Sequence, residues 1–324
     1  MGHIVVTRTV PGDAVDRLAG AGHSVEVWPR ELPPPPSELA ELLARADGVL
    51  TMVTDRIDAA MLAASPRLRI IANMAVGYDN VDPAVAAAAG VWLTNTPGIL
   101  AETTADLAFA LMLDVARKVT LSDRDTRAGG CKTWSPTAFL GADIHGATLG
   151  IVGAGEIGSA VARRAKGFAM RILYTARSDK TSLERETGAV RSSLADLLQK
   201  SDFVSLHVPM NPETRHLLGT REFALMKPTA IFINTARGTV IDQSALVGAL
   251  RTGTIAGAGL DVTDPEPLPA SHELFTFPNV VITPHIASAS TATRAKMAAL
   301  AADNIIEVLV GRPPLTPVNQ PTGR

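Results

Sequence analysis

Cysteine is nearly absent from this chain of 324 residues, where Cys131 is the only one. A lone thiol excludes an intramolecular disulfide framework and fits a reducing compartment. Aromatic residues are scarce at 4%, and neither sign of charge dominates: Lys+Arg 30 against Asp+Glu 32 gives a formal net charge of -2. No basic block breaks that balance, which argues against nucleic acid or an anionic membrane as the main partner. No uninterrupted apolar stretch is long enough to span a bilayer. Residues 4–7 already read as a core strand, so no signal peptide is expected. Val6 stands where a myristoylation motif would need Ser or Thr. No metal site is expected, and the chain reads as a cytoplasmic globular protein. Hydrophobic residues at 46% and charged residues at 19% are ordinary for an α/β protein, and the length suggests two domains.

Short apolar runs alternate with helical stretches along the whole chain. Strands are predicted at residues 3–7, 24–27, 48–53 and 70–72, with helices at 13–19, 39–44 and 61–64. Pro33, Pro34, Pro35 and Pro36 stiffen a loop between them. Such alternation predicts parallel sheets covered by helices, and two successive arrays predict two similar open-sheet domains. After the strand at 70–72 comes A-V-G-Y-D-N, residues 75–80. Amides at Val76 and Gly77 could hold a carboxylate there, and a plain βα turn fits the spacing equally well. Thr96-Pro97-Gly98 follows a further strand at 91–94, and the first domain crossing is placed at 97–100. A long helix over 102–117 is apolar around most of its circumference, which predicts burial between domains or subunits. Trp134, in W-S-P, is either packing or a substrate wall.

The chain is organised around residues 149–158, L-G-I-V-G-A-G-E-I-G. An apolar strand ends in Gly153, Gly155 and Gly158, spaced G-x-G-x-x-G, and a helical stretch follows. That strand, turn and helix start make a dinucleotide-binding fingerprint, with helix N–H groups offered to the phosphates. The next strand is predicted at 171–175. An acidic residue near its end would accept hydrogen bonds from a ribose 2′-hydroxyl, but Ala176 occupies the position, followed by Arg177 and Ser178. Arg177 can form charge-assisted hydrogen bonds with a 2′-phosphate and Ser178 can donate another, which favours NADP over NAD. The plain alternative is a solvated arginine on a turn.

Three later strands of this half, at 230–233, 257–260 and 280–283, are followed by Arg237, Glu266 and His285. Singly, each has a plain reading: a structural ion pair, a solvated carboxylate between two prolines, a histidine in a turn. Together they follow successive strands whose ends face one crevice. An imidazolium can give a proton to a carbonyl oxygen as hydride reaches the carbon, and a neighbouring carboxylate favours that protonated form. An arginine can bind the substrate carboxylate bidentately and polarise the carbonyl. Thr214, on the loop after the strand at 202–208, lies near where a cofactor could sit.

The stretches A-V-G-Y-D-N-V-D, T-A-D-L-A-F-A-L, L-G-I-V-G-A-G-E-I-G, I-N-T-A-R-G, A-G-L-D-V-T-D-P-E-P and I-T-P-H-I-A-S-A-S occur in this order from Val76 to Ser290. In them the chain resembles the D-isomer-specific 2-hydroxyacid dehydrogenases, glyoxylate/hydroxypyruvate reductase type, over essentially its whole length. The resemblance implies an α/β fold of two Rossmann-like domains, with parallel sheets flanked by helices and the active site in the cleft between them. Residues 1–98 and 288–324 would form a discontinuous substrate-binding domain, and 99–287 the dinucleotide-binding domain. It implies Arg237 as the substrate-binding arginine, Glu266 as the carboxylate paired with the histidine, and His285 as the acid/base. Val76 and Gly77 match the loop whose amides hold the substrate carboxylate. Trp134 resembles a tryptophan that reaches the partner subunit's active site in a homodimer, with the long helix in the interface. The cofactor-lining positions implied are Thr104, then Gly153, Ala154, Gly155, Glu156, Ile157 and Gly158, then Ala176, Arg177 and Ser178. They continue with His207, Val208, Pro209 and Thr214, with Thr235, Ala236 and Arg237, and with Asp261, His285, Ala287 and Ser288.

Ala154 and Glu156 stand where many relatives carry Leu and Arg, so Glu156 puts a negative charge near the pyrophosphate unless it points to solvent. The sequence runs only a few residues past Asn319, so the regulatory domain found in some phosphoglycerate dehydrogenases is not expected. The activity implied is NADPH-preferring reduction of small 2-oxo acids, glyoxylate and hydroxypyruvate first, to D-2-hydroxy acids. The alternatives are an NADH-dependent dehydrogenase for a bulkier 2-oxo acid, and a dinucleotide-sensing interaction protein.

Overall fold

Strands buried on both faces need apolar or small residues at nearly every position, and such runs form the central strands of two parallel sheets here. The computed structural model describes residues 1–321. One compact unit comprises Met1–Leu100 and the chain from Ala289 onward; the other is Ala101–Ser288. The expected boundaries, after residues 98 and 287, differ from these by two residues and one.

In the first unit β1 (His3–Val6), α1 (Ala14–Gly20), β2 (Ser24–Val27), α2 (Pro36–Arg45), β3 (Gly48–Thr51), α3 (Ala59–Ala63), β4 (Ile70–Asn73), α4 (Pro83–Ala88) and β5 (Trp92–Thr94) alternate. The sheet is parallel throughout, in the order β2-β1-β3-β4-β5. Pro36 does not belong to the loop, as the run of prolines suggests, but opens α2. A proline at that position lacks only an N–H that the helix would leave unpaired. Asp82 caps α4 by accepting from the amides of Ala84 and Val85.

The second unit begins with α5 (Ala101–Arg117) and α6 (Val119–Arg127), then continues β6 (Thr148–Val152), α7 (Glu156–Gly167), β7 (Arg171–Thr175), α8 (Thr181–Thr187), β8 (Val190–Arg191), α9 (Leu194–Lys200), β9 (Phe203–Leu206), α10 (Thr220–Ala224), β10 (Ile231–Asn234), α11 (Gln243–Arg251), β11 (Gly257–Leu260) and β12 (Val280–Ile282). Its parallel sheet runs β12-β11-β10-β9-β6-β7-β8. The strand order reverses direction at β6, with β7 on one side and β9 on the other, which makes a topological switch point where open sheets bind ligands.

The long helix is buried, as its composition predicts, and its own unit supplies the cover. The face of α5 carrying Ala105, Ala108, Phe109, Met112 and Val115 is buried in a core shared with Leu149, Ile151, Val161 and Ile233 of its own unit. Glu102, Asp106, Ala110 and Arg117 are exposed. Burial of α5 is therefore explained by its own sheet and α7, with no second domain required.

The chain then enters α12 (Thr291–Leu309), a helix not among those expected from the sequence, capped by the Ser290 side chain. Ala298, Ala301, Ala302, Ile305 and Val308 of α12 pack with Ile4, Leu18, Leu50 and Ile70 in the core of the first unit. No helix among the described residues is long and apolar enough to cross a membrane.

Candidate active site

The glycine turn lies between β6 and α7, at the switch point of the second sheet. Gly153 has φ of 100°, a left-handed conformation that disfavours side chains, and a Cβ there would sit 2.7 Å from the His207 carbonyl. A Cβ on Gly158 would overlap the Gly153 oxygen, so strand and helix can meet only through glycine. Gly155 differs: a Cβ would meet no protein atom within 4 Å. Protein packing does not demand that glycine, and the open space beside its backbone is what close approach of a phosphate requires. Gly155 is also the N-cap of α7 and offers no side chain to its first-turn amides, which leaves them open to an anion. These features fit a dinucleotide pyrophosphate. Glu156 is exposed on the first turn, and Ala154 is buried.

Two orphaned buried polar atoms stand at the ends of adjacent strands, Nδ1 of His207 after β9 and Oγ1 of Thr235 after β10. His207 pairs through Nε2 with the Ser205 hydroxyl at 2.8 Å. The residue is half-buried, yet Nδ1 is sealed, and burial pushes the imidazole down to about 3. The folded value lies below the ordinary one, so the unfolded chain takes up the proton first as pH falls. Stability is therefore unaffected by His207 above about pH 6.5 and declines from there to about pH 3, by at most about 1.4 kcal/mol per pH unit. His207→Gln is expected to lose less melting temperature between about pH 7 and about pH 4.5 than the parent chain. Equal losses would contradict a buried neutral imidazole.

Of the other expected cofactor positions, Val208 is half-buried beside Gly153 and Pro209 is exposed. Thr104 is buried in α5. The Thr214 hydroxyl is spent within its own loop, donating to the Pro209 carbonyl at 2.6 Å and accepting from the Asn211 amide at 2.9 Å. Ala176 is half-buried, while Arg177 and Ser178 are exposed at the end of β7. That strand end reaches the glycine turn, because the Gly153 amide donates to the Thr175 carbonyl.

Arg237, Glu266 and His285 follow β10, β11 and β12, which are neighbours in the sheet. Glu266 and His285 meet: Nδ1 of His285 lies 2.6 Å from Oε1 of Glu266, with both side chains partly exposed. His285 has φ of 55°, rare for a residue with a side chain, and Asp261 holds it there. The Asp261 carboxylate accepts from the Thr283 hydroxyl at 2.6 Å and from the Ile286 and Ala287 amides at 2.8 Å. Its own carbonyl accepts the His285 amide. Burial raises the Asp261 carboxyl above its ordinary value, against the pull of those donors. The turn bearing Arg237 is fixed by Asn234, whose side chain accepts the Ala236 amide and donates to the Arg237 carbonyl, each at 3.0 Å. Asn234 and Thr283 are positioning residues outside the set expected from the sequence. An Asn closing a buried strand before a turn is the signal that could have found the first.

In the first unit, the carbonyl of Ala75 accepts the Thr96 amide, and that of Val76 accepts the Asn95 side chain, both at 2.8 Å. In a trans peptide the N–H points opposite to the C=O. The N–H groups of Val76 and Gly77 therefore point away from the groups that their peptide carbonyls bind, Thr96 and Asn95. Trp134 is 82% exposed on the segment after α6.

Residues 109–287 match the family model for the D-isomer specific 2-hydroxyacid dehydrogenase, NAD binding domain. The chain belongs to the D-isomer specific 2-hydroxyacid dehydrogenases. A glyoxylate reductase of Korarchaeum cryptofilum is 48% identical over 318 residues, 98% of this chain and 96% of the relative. Among solved structures, a protein of Thermus thermophilus superposes with a TM-score of 0.92 at 48% identity, over 98% of this chain and 99% of the other. The NADPH-dependent glyoxylate/hydroxypyruvate reductase of Sinorhizobium meliloti, solved with NADP and malonate, gives a TM-score of 0.86 at 33% identity, over 98% and 96%. This dehydrogenase is thus an NAD(P)-dependent oxidoreductase with a Rossmann-type nucleotide domain. Its residues that would hold the dinucleotide are those of the glycine turn and the ends of β7, β9 and β10.

Proposed function

We propose that this dehydrogenase reduces small 2-oxo acids, glyoxylate and hydroxypyruvate first, to D-2-hydroxy acids, with NADPH preferred over NADH. The 2.6 Å pairing of His285 with Glu266 carries the chemical part of this reading. Bound nicotinamide dinucleotide supplies the hydride. Nδ1–H of His285 donates to Glu266, so Nε2 is the nitrogen that gives the proton to the carbonyl oxygen and recovers it in the reverse direction. Arg237 binds the substrate carboxylate and draws charge from the carbonyl. The amides of Val76 and Gly77 hold the same carboxylate. The glyoxylate reductase of Korarchaeum cryptofilum and the Sinorhizobium meliloti enzyme support the substrate class.

The preference for NADPH rests on the end of β7. Ala176 offers no carboxylate to a ribose 2′-hydroxyl, and the exposed Arg177 and Ser178 can pair with a 2′-phosphate. The decisive measurement is the initial rate of reduced-nicotinamide loss with glyoxylate, hydroxypyruvate and a bulky 2-oxo acid, each with NADPH and NADH. The small acids with NADPH are expected to give the highest kcat/KM, about tenfold above NADH, and Arg177→Ala should erase that margin. Equal or better rates with NADH would overturn the cofactor assignment. Cofactor binding without turnover of any acid would overturn the activity.

A homodimer is the assembly this reading includes. The segment between α6 and β6 exposes Trp134 at 82% and Leu140 at 65%, apolar surface suited to a second copy of the chain. The single, exposed Cys131 fits a cytoplasmic setting.

A further inference from the structure

An arginine outside the nucleotide motifs grips the loop that would meet a 2′-phosphate. Arg191 closes β8, the two-residue edge strand, in register with Tyr174 of β7. Its side chain turns toward the β7–α8 loop. Nη2 donates to the Ala176 carbonyl at 2.9 Å and to the Arg177 carbonyl at 3.4 Å, while Nη1 pairs with the Asp179 carboxylate at 2.6 Å. The far end of the loop is tied separately, the Lys180 amide donating to the Tyr174 hydroxyl at 2.9 Å. The near end is tied to the glycine turn through Thr175.

We propose that Arg191 is a positioning and specificity-determining residue for the phosphorylated dinucleotide, acting on the loop 176–179 in two ways. Its fork fixes the Ala176 and Arg177 carbonyls, which orients the backbone from which Arg177 and Ser178 project. It also neutralises Asp179, the one carboxylate in that loop, which would otherwise repel a 2′-phosphate. An unphosphorylated ribose carries no charge for Asp179 to repel, so the effect discriminates between the two cofactors. This inference rests on the NADPH reading above and adds to it a residue that contacts the loop rather than the cofactor.

Binding of 2′,5′-ADP and of 5′-ADP, measured by titration calorimetry on the full chain, separates the two ideas without recourse to turnover. The parent is expected to bind 2′,5′-ADP more tightly, and failure of that comparison would sink the NADPH reading itself. With the parent preference present, Arg191→Met is expected to weaken 2′,5′-ADP about tenfold and 5′-ADP less than about twofold. Adding Asp179→Asn to Arg191→Met should recover much of the lost 2′,5′-ADP affinity, because the repelling charge is then gone. Such recovery also shows that the first variant is folded. Equal weakening of both ligands, or no weakening of either, would overturn the role given to Arg191 and leave the role of Arg177 untouched.

Discussion

His285→Ala is expected to lower kcat about a thousandfold while the Kd for the cofactor stays within about threefold of the parent value. The imidazole is the only titratable ring following β10, β11 or β12 that is paired with a carboxylate among the described residues. Its loss removes the proton donor without touching the glycine turn. Glu266→Gln keeps the hydrogen-bonding shape but not the charge, and a loss of about tenfold in kcat is expected from it. Stopped-flow measurement of the chemical step, with fluorescence titration of cofactor, checks both. Near-normal turnover in His285→Ala would end the proposed acid/base assignment.

The second large effect is expected at Arg237. Arg237→Ala should reduce kcat/KM for glyoxylate about a thousandfold, through both a raised KM and a lowered kcat, because one guanidinium binds the carboxylate and polarises the carbonyl. Arg237→Lys should recover only part of this, since an ammonium cannot reproduce the planar fork. A full rescue by lysine would show that charge alone is needed. An unchanged KM in Arg237→Ala would move the carboxylate to other donors, the Val76 and Gly77 amides first. The Asn234 clamp on the Arg237 turn stays intact in these variants because it engages backbone and not the guanidinium.

Much of the scaffold was legible in the chain because its signals are local. Gly257–Leu260 is a strand in both sequence and structure, and the alternation of elements announces parallel sheets. The ends of elements were less legible. Pro36 reads as loop from its neighbours but is accepted at a helix start, where its missing N–H costs nothing. The apolar circumference of α5 signals burial without naming what covers it, and the cover is the helix's own sheet and α7.

The residues Arg237, Glu266 and His285 could be nominated from their places after successive strands, and the glycine spacing from its turn chemistry. Sequence by itself determined the parallel α/β architecture, the dinucleotide fingerprint and the absence of an acidic residue at Ala176, since each depends on residues adjacent or at short fixed spacing. Only the tertiary structure decided that Glu266 and His285 touch, that Asp261 fixes the His285 loop with two amides and a hydroxyl, and that Arg191 clamps the loop beside Ala176. Those contacts join segments from 12 to 26 positions apart. Their geometry is set by which strands lie side by side in the sheet, and no local propensity or spacing encodes that order.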